Sequence, residues 1–385
     1  MNCKTDKIIS LQNNDFCRWN SSENISIILI FILAIFISGC SYGPRPQMPK
    51  DRPYVIEKVS FSSVNSNIQL AGELTIPYGK GSYPAVILIT GSGKQDRDET
   101  VLGHKPFLVI SDYLTRMGFA VLRYDDRCVG KSTGNYETAD LRDFADDAAG
   151  AYLWLEKQPH FDVGKIGYLG HSEGGYIAPL AALSNDSSFM VILAGSAKPL
   201  LPNVMITQSQ DIARAQGLST TVINDYERQY LKLTSILKQA TSVDEARRNL
   251  THWLNAEGAS NSEIKATLDM FANRWGIYFA KHDPKPVLTA FSRSVFALFG
   301  KKDVQVSARE NASFMDQVLS APESKVCVLD NMNHLFQNST TGSIDEYHKI
   351  TTTIEPEVLA LISNWLKNIT KMNEHSPLRC DFSRG

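Results

Sequence analysis

The feature that most constrains this chain is the run Gly170-His171-Ser172-Glu173-Gly174-Gly175. It lies between a short apolar stretch, Ile166–Leu169, and a helix-forming stretch, Tyr176–Ser184. A chain that passes from strand to helix in so few residues holds the central residue in a strained backbone with small neighbours, and Gly170, Gly174 and Gly175 supply them. The helix that begins after Ser172 turns its N-terminus, with the partial positive charge carried there, toward the serine. That combination suits a nucleophile on which negative charge develops. A Gly-rich strand–helix turn with no chemistry shares the same local composition, so the rest of the chain has to decide.

Around this turn, strands and helices alternate. Val55–Ser63 and Ile68–Ile76 alternate apolar and polar residues, the pattern of an antiparallel hairpin. Ala85–Ile89 is continuously apolar, as for a strand covered on both faces, and it ends in Thr90-Gly91-Ser92-Gly93. Further strands are expected at Phe119–Tyr124, Lys165–Leu169, Phe189–Leu193, Ser294–Phe299 and Lys325–Leu329. Helices are expected at Pro106–Met117, Thr138–Glu156, Tyr176–Ser184, Ser307–Leu319 and Ile354–Asn368. Such alternation predicts an α/β fold, a mostly parallel sheet flanked by helices. From 198 to 286 the strand signal stops. Polar helix-period stretches replace it at Ile206–Gln216, Val222–Gln239, Val243–Asn255 and Ser262–Trp275. This block reads as a helical lid inserted between strands, dividing a core of residues 55–197 and 287–370. Residues 371–385 read as a loose tail.

A serine hydroxyl needs a base, and the chain has eight histidines. His171 adjoins the serine within the turn and cannot fold back onto it. His334 follows the last expected strand, at the sheet edge where loops gather. Its partner acid is expected to be Asp303, just past the strand Ser294–Phe299, which completes the chain order serine, acid, histidine. Asp330, nearer to His334 in sequence, is the competitor. An oxyanion hole needs two backbone N–H groups. One is that of Glu173. The other comes from the loop after Ala85–Ile89, with Ser92 the first choice and Gly93 the second.

Jointly, TGSGKQDRDE (90–99), HKPF (104–107), LRYDDRCVGKSTG (122–134), GHSEGG (170–175), GKKDVQV (300–306) and NHLFQ (333–337) resemble the bacterial α/β-hydrolases of the esterase and dienelactone-hydrolase-like group. That group borders on the prolyl-oligopeptidase and S33 peptidase families. The resemblance covers about residues 55 to 370 and is least specific in the lid. It implies an α/β-hydrolase fold, a Ser172–His334–Asp303 triad working through an acyl-enzyme, a small-molecule ester substrate, and no metal or organic cofactor. It says less about substrate. A peptidase, thioesterase or acyltransferase would keep the triad, and a non-catalytic envelope binding protein would keep the fold. The family usually has Gly where this chain has Cys128, which would be strained if the position has positive φ. Asp125, Asp126 and Arg127 read as a structural salt-bridge cluster, and the Glu173 side chain as a local salt-bridge partner. Trp253, Phe271, Trp275, Tyr278 and Phe279 read as lid packing or as an apolar acyl pocket.

Hydrophobic residues make up 43% of the chain and charged residues 21%, enough to bury a core. The net charge is -2 and no Lys/Arg block exists, which argues against nucleic acid as a partner. The six cysteines form no CxxC pair and show no zinc-ligand spacing; a disulfide such as Cys128–Cys380 stays open. Ile25–Ile37 is apolar but shorter than the roughly 20 residues that span a bilayer, and it fits the h-region of a secretory signal. Ile37-Ser38-Gly39-Cys40 resembles a bacterial lipobox. The expectation is a signal peptide at 1–39, a lipidated Cys40 and a tether at 40–54, with an uncleaved apolar anchor and a soluble cytoplasmic protein as the other readings. The first two hold the folded domain at a membrane of the cell envelope.

Overall fold

The computed structural model describes residues 45–372 apart from 80 and 160. The apolar N-terminal segment, Cys40 and the chain beyond 372 lie outside them. The strands are β1 (Tyr54–Ser62), β2 (Gln69–Pro77), β3 (Tyr83–Ile89), β4 (Ala120–Tyr124), β5 (Phe161–His171), β6 (Phe189–Leu193), β7 (Ser294–Gly300) and β8 (Lys325–Leu329). They form one eight-stranded sheet in the order β1-β2-β4-β3-β5-β6-β7-β8. β1 and β2 form an antiparallel hairpin, β2 runs antiparallel to β4, and every pairing from β4 to β8 is parallel.

The continuous apolar runs have a direct cause, since both faces of the sheet are covered. On β3, Ala85, Ile87 and Ile89 enter one core, while Val86 and Leu88 enter the other. The second core packs under α1 (Pro106–Arg116) and α11 (Pro356–Ile369). The first packs under α2 (Leu141–Glu156), α3 (Gly174–Ala181) and α10 (Ala308–Val318). Asp140 caps α2 in a reciprocal capping box with Asp143, so the helix starts three residues later than its apolar period suggested.

Between β6 and β7 stand α4 (Met205–Ala215), α5 (Thr220–Gln239), α6 (Val243–Ala256), α7 (Asn261–Phe271), α8 (Arg274–Lys281) and α9 (Lys285–Ala290). The helix expected over Ser262–Trp275 is in fact two. α7 stops at Phe271, and the Asn273 side chain accepts the Gly276 N–H to start α8. The two helices meet so closely that a Cβ on Gly276 would overlap the Phe271 carbonyl. Phe271 and Phe279 are buried within the lid's own packing, and Phe279 meets Tyr176 of α3 edge-on at 5.3 Å.

The chain before β1 is docked on the domain. Arg45 donates to the carbonyls of Leu102 and Ile350, and Gln47 to that of Ile354. No helix of the described residues is long and apolar enough to cross a membrane. Cys128 and Cys327 are each disulfide-bonded. Cys128 has φ +63°, the strained region expected for a residue replacing glycine.

Candidate active site

β5 ends at the turn, and Ser172 stands there at φ +53°, a conformation that costs a non-glycine residue energy. The Ser172 N–H is tied to the Leu193 carbonyl at 2.8 Å, which fixes the turn to the end of β6. Gly170 and Gly174 are demanded by close approach. A Cβ on the first would overlap the Gly174 carbonyl, and a Cβ on the second the Ile89 carbonyl of β3. α3 starts at Gly174, its N-terminus at the serine.

The loop after β8 brings His334 back beside this turn. His334 Nδ1 lies 2.8 Å from Asp303 Oδ2, and both residues are buried. Asp303 Oδ1 accepts the N–H groups of Gln305 at 2.7 Å and Val306 at 2.9 Å, which holds the carboxylate in place. Asp330 is elsewhere, at the surface, paired with Lys301. Ser172 and His334 line one cavity of about 190 Å³. No hydrogen bond joins their side chains, a looseness usual before substrate binds.

In the loop after β3, the Gly93 N–H is taken by the Tyr136 hydroxyl at 2.9 Å. The amides of Ser92 and Glu173 have no hydrogen-bond acceptor among the described residues, which leaves these two, rather than Gly93, available to an oxyanion. The cavity is mostly apolar, walled by Val101, Leu200, Val204, Met205, Trp275, Val306, Leu335 and Ile344, with Gln95, Gln208 and Gln305 as polar points. Among the described residues no Lys or Arg lines it.

A model of the S15 family, the X-Pro dipeptidyl-peptidases, matches residues 66–321. This chain belongs to that family. It is a serine hydrolase. A curated relative, esterase EstD of Thermotoga maritima, is 24% identical over 331 residues, 86% of this chain and 73% of the relative. Among solved structures, an esterase of Pyrococcus furiosus is similar at TM-score 0.51 and 16% identity, covering 86% of this chain and 98% of that one. The α/β-hydrolase GrgF from a Penicillium species is similar at TM-score 0.51 and 16% identity, over 82% of this chain and 99% of that one. At such identities the structural likeness shows the α/β-hydrolase fold alone.

Two features of this S15-family hydrolase were not legible beforehand. The first is a second histidine–carboxylate pair. His171 Nδ1 lies 2.9 Å from Glu99 Oε1, and His171 Nε2 lies 3.0 Å from the His334 carbonyl oxygen. Burial pulls the His171 pKa down, but the Glu99 charge and hydrogen bond outweigh it, so the pKa is raised. Glu99 Oε1 also accepts the Gly91 N–H at 2.7 Å, while its Oε2 is buried with no hydrogen-bond partner. Only the adjacency of His171 to Ser172 pointed there; nothing in the sequence tied Glu99 to it. The second concerns Glu173, whose side chain forms no salt bridge among the described residues. It is buried and accepts from the Ser92 hydroxyl at 2.7 Å and from the Trp275 indole N–H at 3.1 Å. Burial, opposed by those two bonds, pushes its pKa up to about 7. The Asp-Asp-Arg stretch does pair structurally. Asp125 binds Arg97, Arg127 binds Asp147, and Asp126 accepts from Thr90 and the Gln95 N–H.

Proposed function

We propose that this serine hydrolase cleaves small to medium carboxylic esters, with Ser172 as nucleophile, His334 as general base and Asp303 holding His334. The observation that carries this reading is the cavity at Ser172. Its volume of about 190 Å³ is below the roughly 300–1,000 Å³ that drug-sized ligands occupy, and its walls are mostly apolar, with no Lys or Arg among the described residues that line it. A neutral ester with a short acyl or alcohol group fits it; a carboxylate-bearing substrate would find no Lys or Arg there among the described residues. Ser172 attacks the ester carbonyl as His334 takes its proton, forming the C–O bond of a tetrahedral intermediate. The oxyanion accepts the N–H groups of Glu173 and Ser92. Collapse breaks the bond to the alkoxy group, which leaves as the alcohol with the proton from His334. Water, deprotonated by His334, then splits the acyl-enzyme to the acid and free Ser172.

A second reading, amide hydrolysis by an exopeptidase, is favoured by the family match and by Glu99. Glu99 lines the cavity, and its Oε2 is the carboxylate oxygen there without a partner among the described residues, so it could take a substrate ammonium. Against it, Glu99 is already paired with His171. Hydrolysis of p-nitrophenyl esters from acetate to palmitate, beside Xaa-Pro p-nitroanilides, separates the readings on the full chain and its Ser172→Ala variant. Ester turnover that falls with chain length and vanishes in the variant supports the ester reading. Turnover of the anilides alone, lost in Glu99→Gln, replaces it with the peptidase reading. Equal turnover by parent and Ser172→Ala would remove Ser172 as nucleophile.

The enzyme's place, in this proposal, is the cell envelope, anchored through a lipidated Cys40. The lipobox-like Ile37–Cys40 supports this, as do the disulfide-bonded Cys128 and Cys327, since such bonds persist in oxidising compartments. Mass spectrometry of the protein from membranes tests it. A diacylated N-terminal Cys40 is expected, and an intact N-terminus with unmodified Cys40 would overturn it.

A further inference from the structure

We propose that Glu173 is a positioning residue whose carboxylate clamps the helical lid to the loop bearing Ser92, so that one buried group sets both the cavity roof and the amide at position 92. This rests on the active-site reading above.

Glu173 follows the nucleophile at the foot of α3, with ordinary helical backbone angles. Its side chain is free to reach outward, and it reaches two separate pieces of chain. Toward the sheet edge, Oε2 takes the Ser92 hydroxyl. Toward the lid, both oxygens lie 3.1 Å from Trp275 Nε1. Trp275 is in the first turn of α8 and lines the substrate cavity, and its ring is backed by Phe279 at 4.8 Å. The Glu173 carboxylate therefore bridges the lid and the oxyanion loop through hydrogen bonds. Moving α8 outward would break the indole bond and leave the Ser92 side chain tied to a group with one partner fewer.

The clamp is built entirely of neutral donors. The groups facing Glu173 are Asp126 after β4, Asp147 of α2, Tyr124 and Tyr136 across a small shared cavity, and Tyr176 of α3; no cation is among them. Asp147 is neutralised by Arg127. A carboxylate held without a cation is readily protonated, in keeping with a pKa near 7. A carboxylate accepts from Ser92 and Trp275 together. The acid form turns one oxygen into a donor and weakens the arrangement. The clamp thus tightens as pH rises through neutrality and loosens as it falls.

Trp275→Phe removes the indole donor and keeps the ring; Glu173→Gln removes the titration and keeps the shape. Subtracting the tryptophan fluorescence of Trp275→Phe from that of the parent isolates Trp275. This difference is expected to titrate once near neutral pH in the full chain. In Glu173→Gln the Trp275 emission is expected not to titrate there. For the ester turned over fastest, KM of the parent is expected to rise severalfold from pH 8 to pH 6, while KM of Glu173→Gln stays level. In Trp275→Phe the ionisation seen in KM moves upward, because a donor to the charged form is gone. Should either variant fail to fold, Ser92→Ala reports the other half, with lowered kcat and an upward shift of the same ionisation. A Trp275 titration unchanged in Glu173→Gln, or KM profiles identical in all variants, would overturn the clamp. The fluorescence signal does not require turnover, so a failure of Ser172 as nucleophile would show in activity and leave this test intact.

Discussion

Two histidine–carboxylate pairs lie side by side in this candidate active site, and their outer nitrogens are placed differently. His334–Asp303 and His171–Glu99 have nearly equal separations, 2.8 and 2.9 Å, and all four residues are buried. The two imidazoles are 4.8 Å apart. What differs is the far nitrogen. His334 Nε2 has no partner among the described residues, and His334 lines the cavity with Ser172. His171 Nε2 is committed to the carbonyl oxygen of His334 itself. With acceptors at both ring nitrogens and a raised pKa, the protonated form of His171 is favoured, and the ring braces the Gly91 loop against the His334 loop. The same two residue types give the proposed base where a nitrogen stays open and a tie where both are used.

The sharpest test of that contrast is Asp303→Asn. It keeps the shape and leaves His334 without its charged partner, so kcat should fall about 10³- to 10⁴-fold. His171→Gln should behave the other way round. It removes a buried ion pair, which destabilises by about 3 kcal/mol, visible as a lower Tm, while the chemical step loses about tenfold. Urea unfolding and steady-state kinetics on both variants decide this. If His171→Gln lost as much kcat as Asp303→Asn at unchanged stability, the two pairs would not be functionally distinct.

The pairs also separate by pH. The folded-state pKa of His171 is raised above its ordinary 6.5, so the pair's contribution to stability is fully present below that value. It is lost as pH rises through the raised pKa. Glu99→Gln removes the charge that raises it. The Tm difference between parent and Glu99→Gln should therefore be largest at about pH 6 and narrow as pH increases. A gap that widens with pH would mean that His171 is neutral in the folded protein.

The sheet and the His334 pair were legible for one reason: their signals are local. Continuous apolar runs mark strands covered on both faces, and loops that end such strands in chain order place Ser172, Asp303 and His334 at one edge. The split of α7 from α8 was missed because both helices carry a compatible apolar period, although Asn273 and Gly276 mark the break. Glu99 and Trp275 were beyond reach for a deeper reason. Glu99 is 72 residues from His171, and Trp275 is 102 residues from Glu173. Each is a polar group whose partner is set by how loops and lid fold over the sheet, and no periodicity encodes that. The Glu173 side chain was misread as a salt-bridge partner because sequence does not show that its donors among the described residues, Ser92 and Trp275, are neutral.

The smallest expected effect bears on nearness along the chain. Asp330 is four residues from His334, whereas Asp303 is 31 residues away, yet Asp303 is the one in contact. Asp330 instead pairs with Lys301 at 2.9 Å, with side-chain exposures of 75% and 68%. Two exposed side chains in water gain little from such contact, so Asp330→Asn should change stability by less than about 1 kcal/mol. Its kcat should stay within about twofold of the parent, since nothing links it to the His334 ring. Measured beside Asp303→Asn, this variant isolates geometry from sequence distance. A large loss of kcat in Asp330→Asn would mean that the acid serving His334 changes in the working enzyme, and the contrast between the two histidine pairs would need to be redrawn around Asp330.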